Sequence, residues 1–360
     1  KTIGAGGGGI EWVDGGDVLN VGPQSAGSSP GPACYGWGGK APTVSDANLI
    51  LGRLNPDYFL GGKLPLYPDR AREAVKRDVA DRMGVSLEEA AAGIIRIVNA
   101  NMAKGISGNS VERGYDLREF ALITMGGAAA LHAADIAGEL NMNEVIVPPM
   151  SGNFSAVGLV VADIQHDYVT TFAKKDYQID PADLLGAFKK IEDEGIRQLA
   201  EEKVPGESIE ITWSADLRYE GQSWELNAPI EPVSEMNRAD IKGIINDFHD
   251  LHQQVYSYSE PKEVVEFVNL RVRVKGKNPD LSFPTEKKTV VLIEGDWKDM
   301  RDVYFENLGW QKTPVYERKR LPAGNKVKGP ALIEETICTT LIPPEYYRFV
   351  DEYTNIIIGR

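Results

Sequence analysis

The sequence predicts an α/β layer structure followed by a β-rich α+β part, and three observations carry that prediction. Apolar runs of strand length alternate with helical stripes through the first half of the chain, the mark of sheets covered by helices. From about residue 174 onward, alternating strand patterns dominate and two helical stretches interrupt them. The chain is 42% apolar and holds 6 Trp, 14 Tyr and 10 Phe, enough side-chain area to build cores and exclude disorder.

Taken in order, the chain opens on glycine, with 16 of its 37 glycines in the first 62 residues. Ile10-Glu11-Trp12-Val13-Asp14 alternates like a strand, Gly15-Gly16 signals a turn, and Val18-Leu19-Asn20-Val21 reads as the returning strand of a hairpin. Residues 22–43 hold four prolines and six glycines and read as an ordered, irregular loop. Ala71, Val75, Val79 and Met83 repeat at helical spacing, with Gly84 as the stop. Ser86 and Glu89 form a capping box, and Leu87, Ala91, Ile94, Ile95, Val98 and Met102 make the core-facing stripe behind it. Phe120 to Met125 predicts a buried strand, Gly126-Gly127 a sharp turn, and Ala128 to Leu140 a helix. Val145-Ile146-Val147 predicts another strand, Phe154 to Ile164 a helix, and Tyr168 to Phe172 a strand.

Residues 173–178 read as a polar linker, so the chain divides into 1–173 and 174–360. Pro181 starts a helix to about Lys203, and a second helix covers 237–256. Ile209 to Trp213, Leu217 to Tyr219, Trp224 to Leu226 and Val264 to Val274 are strand candidates, with Gly276 to Lys288 a loop. Val290 to Ile293, Ala331 to Ile333 and Ile356 to Ile358 are the strands expected near the end.

Composition narrows the function classes. A net charge of −14 opposes nucleic acid and anionic membranes as partners. Two cysteines are too few for a disulfide scaffold, which predicts a reducing, cytoplasmic setting. No run of 18 apolar residues offers a spanning helix. Lys1 is not an initiator Met, and the glycine run arrives with no strand before it, so the chain is expected to be the C-terminal part of something longer.

Two glycine segments are the candidate ligand loops. Gly6, Gly7 and Gly8 leave backbone N–H groups unshielded, as an anion-approaching loop needs, although composition alone favours a flexible turn. Gly126, Gly127 and Ala128 would let a ligand approach the backbone between a strand and a helix, and tight packing is the competing reading. His132 with Asp135 invites acid–base or metal chemistry, against a packed histidine. Asp46 suits Mg²⁺ if it faces a cleft, and is otherwise explained by its place in the first turn of a helix. His249 and His252 share a helix face with no cysteine near, and Cys34 would need a base beside it to act as a nucleophile.

Together the motifs resemble the hydantoinase A/oxoprolinase family. The match runs in order through Thr2 to Gly8, Val21 to Gly27, Pro30 to Gly36, Thr43 to Leu49 and Leu51 to Leu54. It continues through Val111 to Asp116, Met125-Gly126-Gly127, Leu131-His132-Ala133, Phe154 to Gly158, His166-Asp167-Tyr168, Leu217 to Gln222 and Gly329-Pro330-Ala331. The resemblance implies a partial nucleotide-binding lobe of the acetate kinase/actin type (ribonuclease H-like) over 1–173, followed by the family's C-terminal α+β domain. It also implies ATP and Mg²⁺ as cofactors, with Gly126, Gly127 and Ala128 at the adenosine and Gly6 to Gly8 lining the cleft.

The implied chemistry is phosphorylation of a carbonyl-derived oxygen of a cyclic amide or imide, driving ring hydrolysis. The alternatives are a subunit of an acetone- or acetophenone-type ketone carboxylase, and a non-catalytic assembly subunit. Implied partners are a hydantoinase B-type subunit, an N-terminal hydantoinase A segment or chain, and a small cyclic amide or ketone. The sequence departs from the family pattern at Gly9, where Ser is usual, at Ala129-Ala130, where Gly-Pro is usual, and at Gly105 and Gly108, where a more regular helix is expected. The upstream Asp-x-Gly-Gly-Thr phosphate hairpins are absent, so the chain is expected to need another segment to hold ATP phosphates.

Overall fold

A computed structural model describes residues 3–111, 114–278, 282–288 and 295–359. They form two compact units, one built from Lys1–Gly158 together with Ser282–Arg360, the other from Leu159–Leu281. The larger unit opens with an antiparallel hairpin of β1 (Gly9–Val13) and β2 (Leu19–Ser25). The irregular loop leads to α1 (Val44–Ile50), whose seven residues are all buried. Next, α2 (Pro68–Val75) runs through a π turn at Lys76–Ala80 into α3 (Asp81–Met83), and Gly84 stops it at φ +65°. The long α4 (Leu87–Ser110) begins at the Ser86/Glu89 capping box with both reciprocal bonds made. It runs unbroken through Gly105 and Gly108. A side chain at Gly105 would lie 2.8 Å from Ile3 Cδ1, which gives that glycine a packing reason.

Beyond it come β3 (Ala121–Ile123), α5 (Ala133–Glu139), β4 (Glu144–Val147) and α6 (Phe154–Val161). The expected helix from Ala128 is not continuous: a 3₁₀ turn at Ala129–Leu131 comes first, and α5 starts only after His132. The strand expected over 120–125 is three residues long.

The smaller unit holds β5 (Ile164–Lys175), α7 (Pro181–Glu201), β6 (Ile209–Tyr219), β7 (Leu226–Ile230), α8 (Arg238–Tyr256) and β8 (Val265–Gly276). Its sheet is antiparallel in the order β5-β8-β6-β7. Asp180 caps α7 and Asn237 caps α8, each accepting from backbone N–H groups of the first turn. Phe188 lies flat on Trp213, with centroids 4.5 Å apart, and Trp213 Nε1 donates to the buried Glu192. Residues 173–175, expected as linker, continue β5 after a bulge at which Ala173 takes φ +44°.

The chain then returns to the larger unit with β9 (Asp299–Phe305), β10 (Gly309–Glu317), β11 (Lys326–Lys328), β12 (Ala331–Glu334), β13 (Thr339–Ile342), β14 (Tyr347–Val350) and β15 (Ile356–Gly359). The expected strand Val290 to Ile293 lies outside the described residues. One sheet runs β13-β12-β10-β9, with β10 and β12 parallel. Another runs β11-β14-β15-β4-β3, so the final strand pairs with β4 from the middle of the chain. The compact units therefore do not follow a single cut at 173/174. Val303, Val315, Leu332 and Leu341 share a core with α1 and α4, and Ile333, Ile342, Ile356 and Ile358 share one with α5 and β4.

Candidate functional site

The two glycine segments meet in the larger unit. The Gly7 carbonyl accepts from Ser45 N and from Ser45 Oγ, both at 2.9 Å, which ties the loop to the first turn of α1. A side chain on Gly7 would stand 3.0 Å from Ser45 Oγ and 3.8 Å from the Cβ of Ala128. On Gly8 it would stand 2.9 Å from Ser25 Oγ, whereas Gly6 faces open space. Among the described residues, no backbone carbonyl accepts from the N–H of Gly6, Gly7 or Gly8. Three consecutive uncommitted donors on a loop without side chains form a surface suited to anionic oxygen.

Gly126 sits at φ +100° with nothing near its missing Cβ, and its N–H donates to Ser151 O at 2.8 Å. Gly127 differs: a Cβ there would lie 2.8 Å from the Ile337 carbonyl, so its lack of a side chain serves packing against the β12–β13 connection. Of the two readings of this turn, close approach by protein accounts for Gly127, and Gly126 keeps the open side.

Asp46 does not face a cleft. It is fully buried as the third residue of α1, and its Oδ2 accepts from Thr43 N, Thr43 Oγ1 and Ala33 N while Oδ1 accepts from Cys34 N at 2.7 Å. The carboxylate pins the irregular loop to the helix and has no side left for a cation. Burial raises its pKa, against those hydrogen bonds. Burial also pushes the Cys34 thiol far up, with Asp46 adding to it, so Cys34 is a packed thiol and not a nucleophile. Glu11 is buried beside them with neither oxygen partnered, and desolvation then Asp46 raise its pKa well above the usual range.

His132 is 1% exposed. Its Nδ1 lies 2.8 Å from Asn99 Oδ1 and its Nε2 lies 3.4 Å from Asn48 Nδ2, contacts that the neutral ring protonated on Nδ1 satisfies together. Burial, then the Arg53 charge, lower its pKa to about 3. Asn99 Nδ2 passes the network on to Asp135 Oδ2 at 3.3 Å. A neutral imidazole bonded on both nitrogens is a bracket between α1, α4 and α5, with no proton to trade at neutral pH.

His249 and His252 are likewise occupied, by Tyr219 OH at 2.7 Å and by Tyr258 O at 2.8 Å. Among the described residues, no three His, Cys, Asp or Glu side chains are arranged to hold a metal ion. No described helix is long and apolar enough to cross a membrane. Sequence reasoning missed Ser45, although it stands directly before Asp46 in the first turn. It also missed Ile337, which no local pattern links to Gly127.

With this geometry in hand, known proteins supply the comparison. A model of the hydantoinase/oxoprolinase family matches residues 1–168, and one of the hydantoinase/oxoprolinase C-terminal domain matches residues 172–358. The caprolactamase subunit alpha of Pseudomonas jessenii is 38% identical over 352 residues, 96% of this chain and 50% of that protein. The acetophenone carboxylase gamma subunit of Aromatoleum aromaticum is 31% identical, over 99% of this chain and 50% of that one. Among solved structures, the ATP-dependent caprolactamase of Pseudomonas jessenii superposes with a TM-score of 0.74 at 36% identity, covering 100% of this chain and 52% of that one. A nucleotide-free acetone carboxylase gives 0.86 at 25% identity, covering 98% and 51%. The chain thus spans about half the length of the relatives it matches, and its mixed α/β architecture with a β-rich part is consistent with the expected actin-like lobe.

Proposed function

The chain belongs to the hydantoinase/oxoprolinase family, and from that premise we propose that it is part of an ATP-dependent enzyme that opens a cyclic amide or imide. The observation that carries the reading is the convergence of Gly6–Gly8, Ser45 and Ala128, with three uncommitted backbone N–H groups and an open Gly126 beside them. The residues fit a nucleotide: Gly6 to Gly8 would face its phosphate oxygens, and Gly126 would leave room for the rest of it. When bound, ATP supplies a phosphoryl group that turns a carbonyl-derived oxygen into a leaving group.

This chain's own work is to bind and orient. Ser45 fixes the loop by holding the Gly7 carbonyl, which turns that carbonyl away and frees the N–H groups for the ligand. Mg²⁺ and the remaining phosphate contacts fall to an N-terminal hydantoinase A segment or chain, and a hydantoinase B-type subunit completes hydrolysis. Amide hydrolysis is favoured over ketone carboxylation because identity is higher to the caprolactamase subunit, 38%, than to the acetophenone carboxylase subunit, 31%. A cytoplasmic setting fits two cysteines that are both free and buried.

The test uses the complete assembly. Replacing Gly6 by Val fills the open side of the loop and is expected to raise the Kd for ATP at least about 10-fold, the scale of one lost set of charge-assisted contacts. Unchanged ATP affinity would remove the glycine loop from the site. ATP turnover that requires bicarbonate and a ketone, with none on lactams, hydantoins or oxoproline, would replace the amide reading by the carboxylase one.

A further inference from the structure

Arg53 is an anomaly in the larger unit. It lies three residues beyond the end of α1, is 7% exposed, and has Nε and Nη1 buried without a hydrogen-bond partner. A guanidinium keeps its charge in a protein, so burial without a partner is costly. No carboxylate among the described residues reaches it at ion-pair distance, although Asp135 is near enough to act on it electrostatically.

Both residues line one cavity of about 470 Å³, together with Arg96, Glu139, Glu306 and Glu345. Arg96 is already joined to Glu306. Asp135 spends one oxygen on Asn99. The cavity therefore presents a cation and an anion that do not satisfy each other, with two further carboxylates in its lining.

That arrangement selects a ligand. A bare anion would meet four carboxylates against two guanidinium groups. A metal cation has no described set of three ligands. A molecule carrying both an acceptor anion and a donor cation gives Arg53 and Asp135 a partner each and sets its cation on the side of the surplus carboxylates, and the volume suits a small organic ligand. We propose that this cavity binds a free amino acid as its zwitterion, with its carboxylate on Arg53 and its ammonium on Asp135 toward Glu139 and Glu345. The residues are distinct from the glycine loops, so the site stands whether or not the chain works on cyclic amides. Ring opening of a cyclic amide would release a molecule of this class.

Titration calorimetry on the full chain tests it with four probes: L-glutamate, 6-aminohexanoate, hexanoate and hexylamine. At least one zwitterion is expected to saturate with a Kd below about 1 mM, and hexanoate and hexylamine to bind about 10-fold more weakly or not at all. Arg53→Met and Asp135→Asn should each weaken the zwitterion about 10-fold. Asp135→Asn retains an acceptor for Asn99, so it keeps the test alive if Arg53→Met fails to fold. The proposal is overturned if neither zwitterion saturates with a Kd below about 1 mM, if hexanoate or hexylamine binds as tightly, or if Asp135→Asn leaves the affinity unchanged.

Discussion

Lowering the pH should loosen the larger unit through His132. The ring is buried between Asn99 and Asn48, and its pKa falls from an ordinary 6.5 to about 3. The unfolded chain therefore takes up a proton below pH 6.5 that the folded chain refuses until about pH 3. Stability is complete above pH 6.5 and is lost as the pH falls through that window. At about 1.4 kcal/mol per unit, moving from pH 7 to pH 4 removes roughly 3 kcal/mol, a large share of the ~5–15 kcal/mol typical of a domain. Urea unfolding at pH 7, 6, 5 and 4, on the wild type and on His132→Gln, isolates the contribution. The glutamine keeps a polar amide and cannot titrate. The wild type should lose ~3 kcal/mol more than the variant across this range, and stability curves that stay parallel within ~0.5 kcal/mol would refute the buried neutral histidine.

Three further perturbations address other parts of the structure. Asp46→Asn turns two amide hydrogens toward donors that now share a carboxylate, and should cost about 2–4 kcal/mol in urea unfolding, with cleavage in the loop 26–43 that follows β2 under limited proteolysis; an unchanged midpoint would contradict the pin. Gly127→Ala places a Cβ 2.8 Å from the Ile337 carbonyl and should cost about 1–3 kcal/mol, measured by the same midpoint, whereas a neutral effect would mean that the β12–β13 connection yields freely. Ser86→Ala removes one half of the α4 capping box and should cost about 1 kcal/mol, seen also as faster amide exchange in its first turn.

What was legible in the sequence was local. The Ser86/Glu89 box and the stripe through Ile94 and Val98 place α4, because capping and 3.6-residue periodicity act within a few turns. The β1–β2 hairpin and the strands at Ala331 and Ile356 follow equally from short patterns. The π turn after Val75 left no trace, since the stripe through Val79 satisfies either winding. The helix expected from Ala128 was overridden by tertiary context: Gly127 abuts Ile337, and His132 is taken by Asn48 and Asn99 before α5 begins. At the candidate site, sequence named both glycine segments but not their meeting point, because Ser45 is joined to Gly7 across 38 residues of chain. Asp46 is the sharpest lesson: the same carboxylate that composition offers to a metal is consumed by donors from the loop before it.

The pairing of β15 with β4 sets a clock on synthesis. Roughly two hundred residues separate the partners, which at the usual ~5–20 residues per second takes the ribosome ~10–40 s. Throughout that interval β4 has one side with backbone donors and acceptors unmatched, a template for pairing with the wrong chain. The antiparallel sheet of residues 159–281 is complete within its own stretch and needs no such wait. A nascent chain released before Ile356 would thus carry one finished unit and one open sheet, so aggregation during expression should track the supply of residues Ile356–Gly359 more than any property of the native surface.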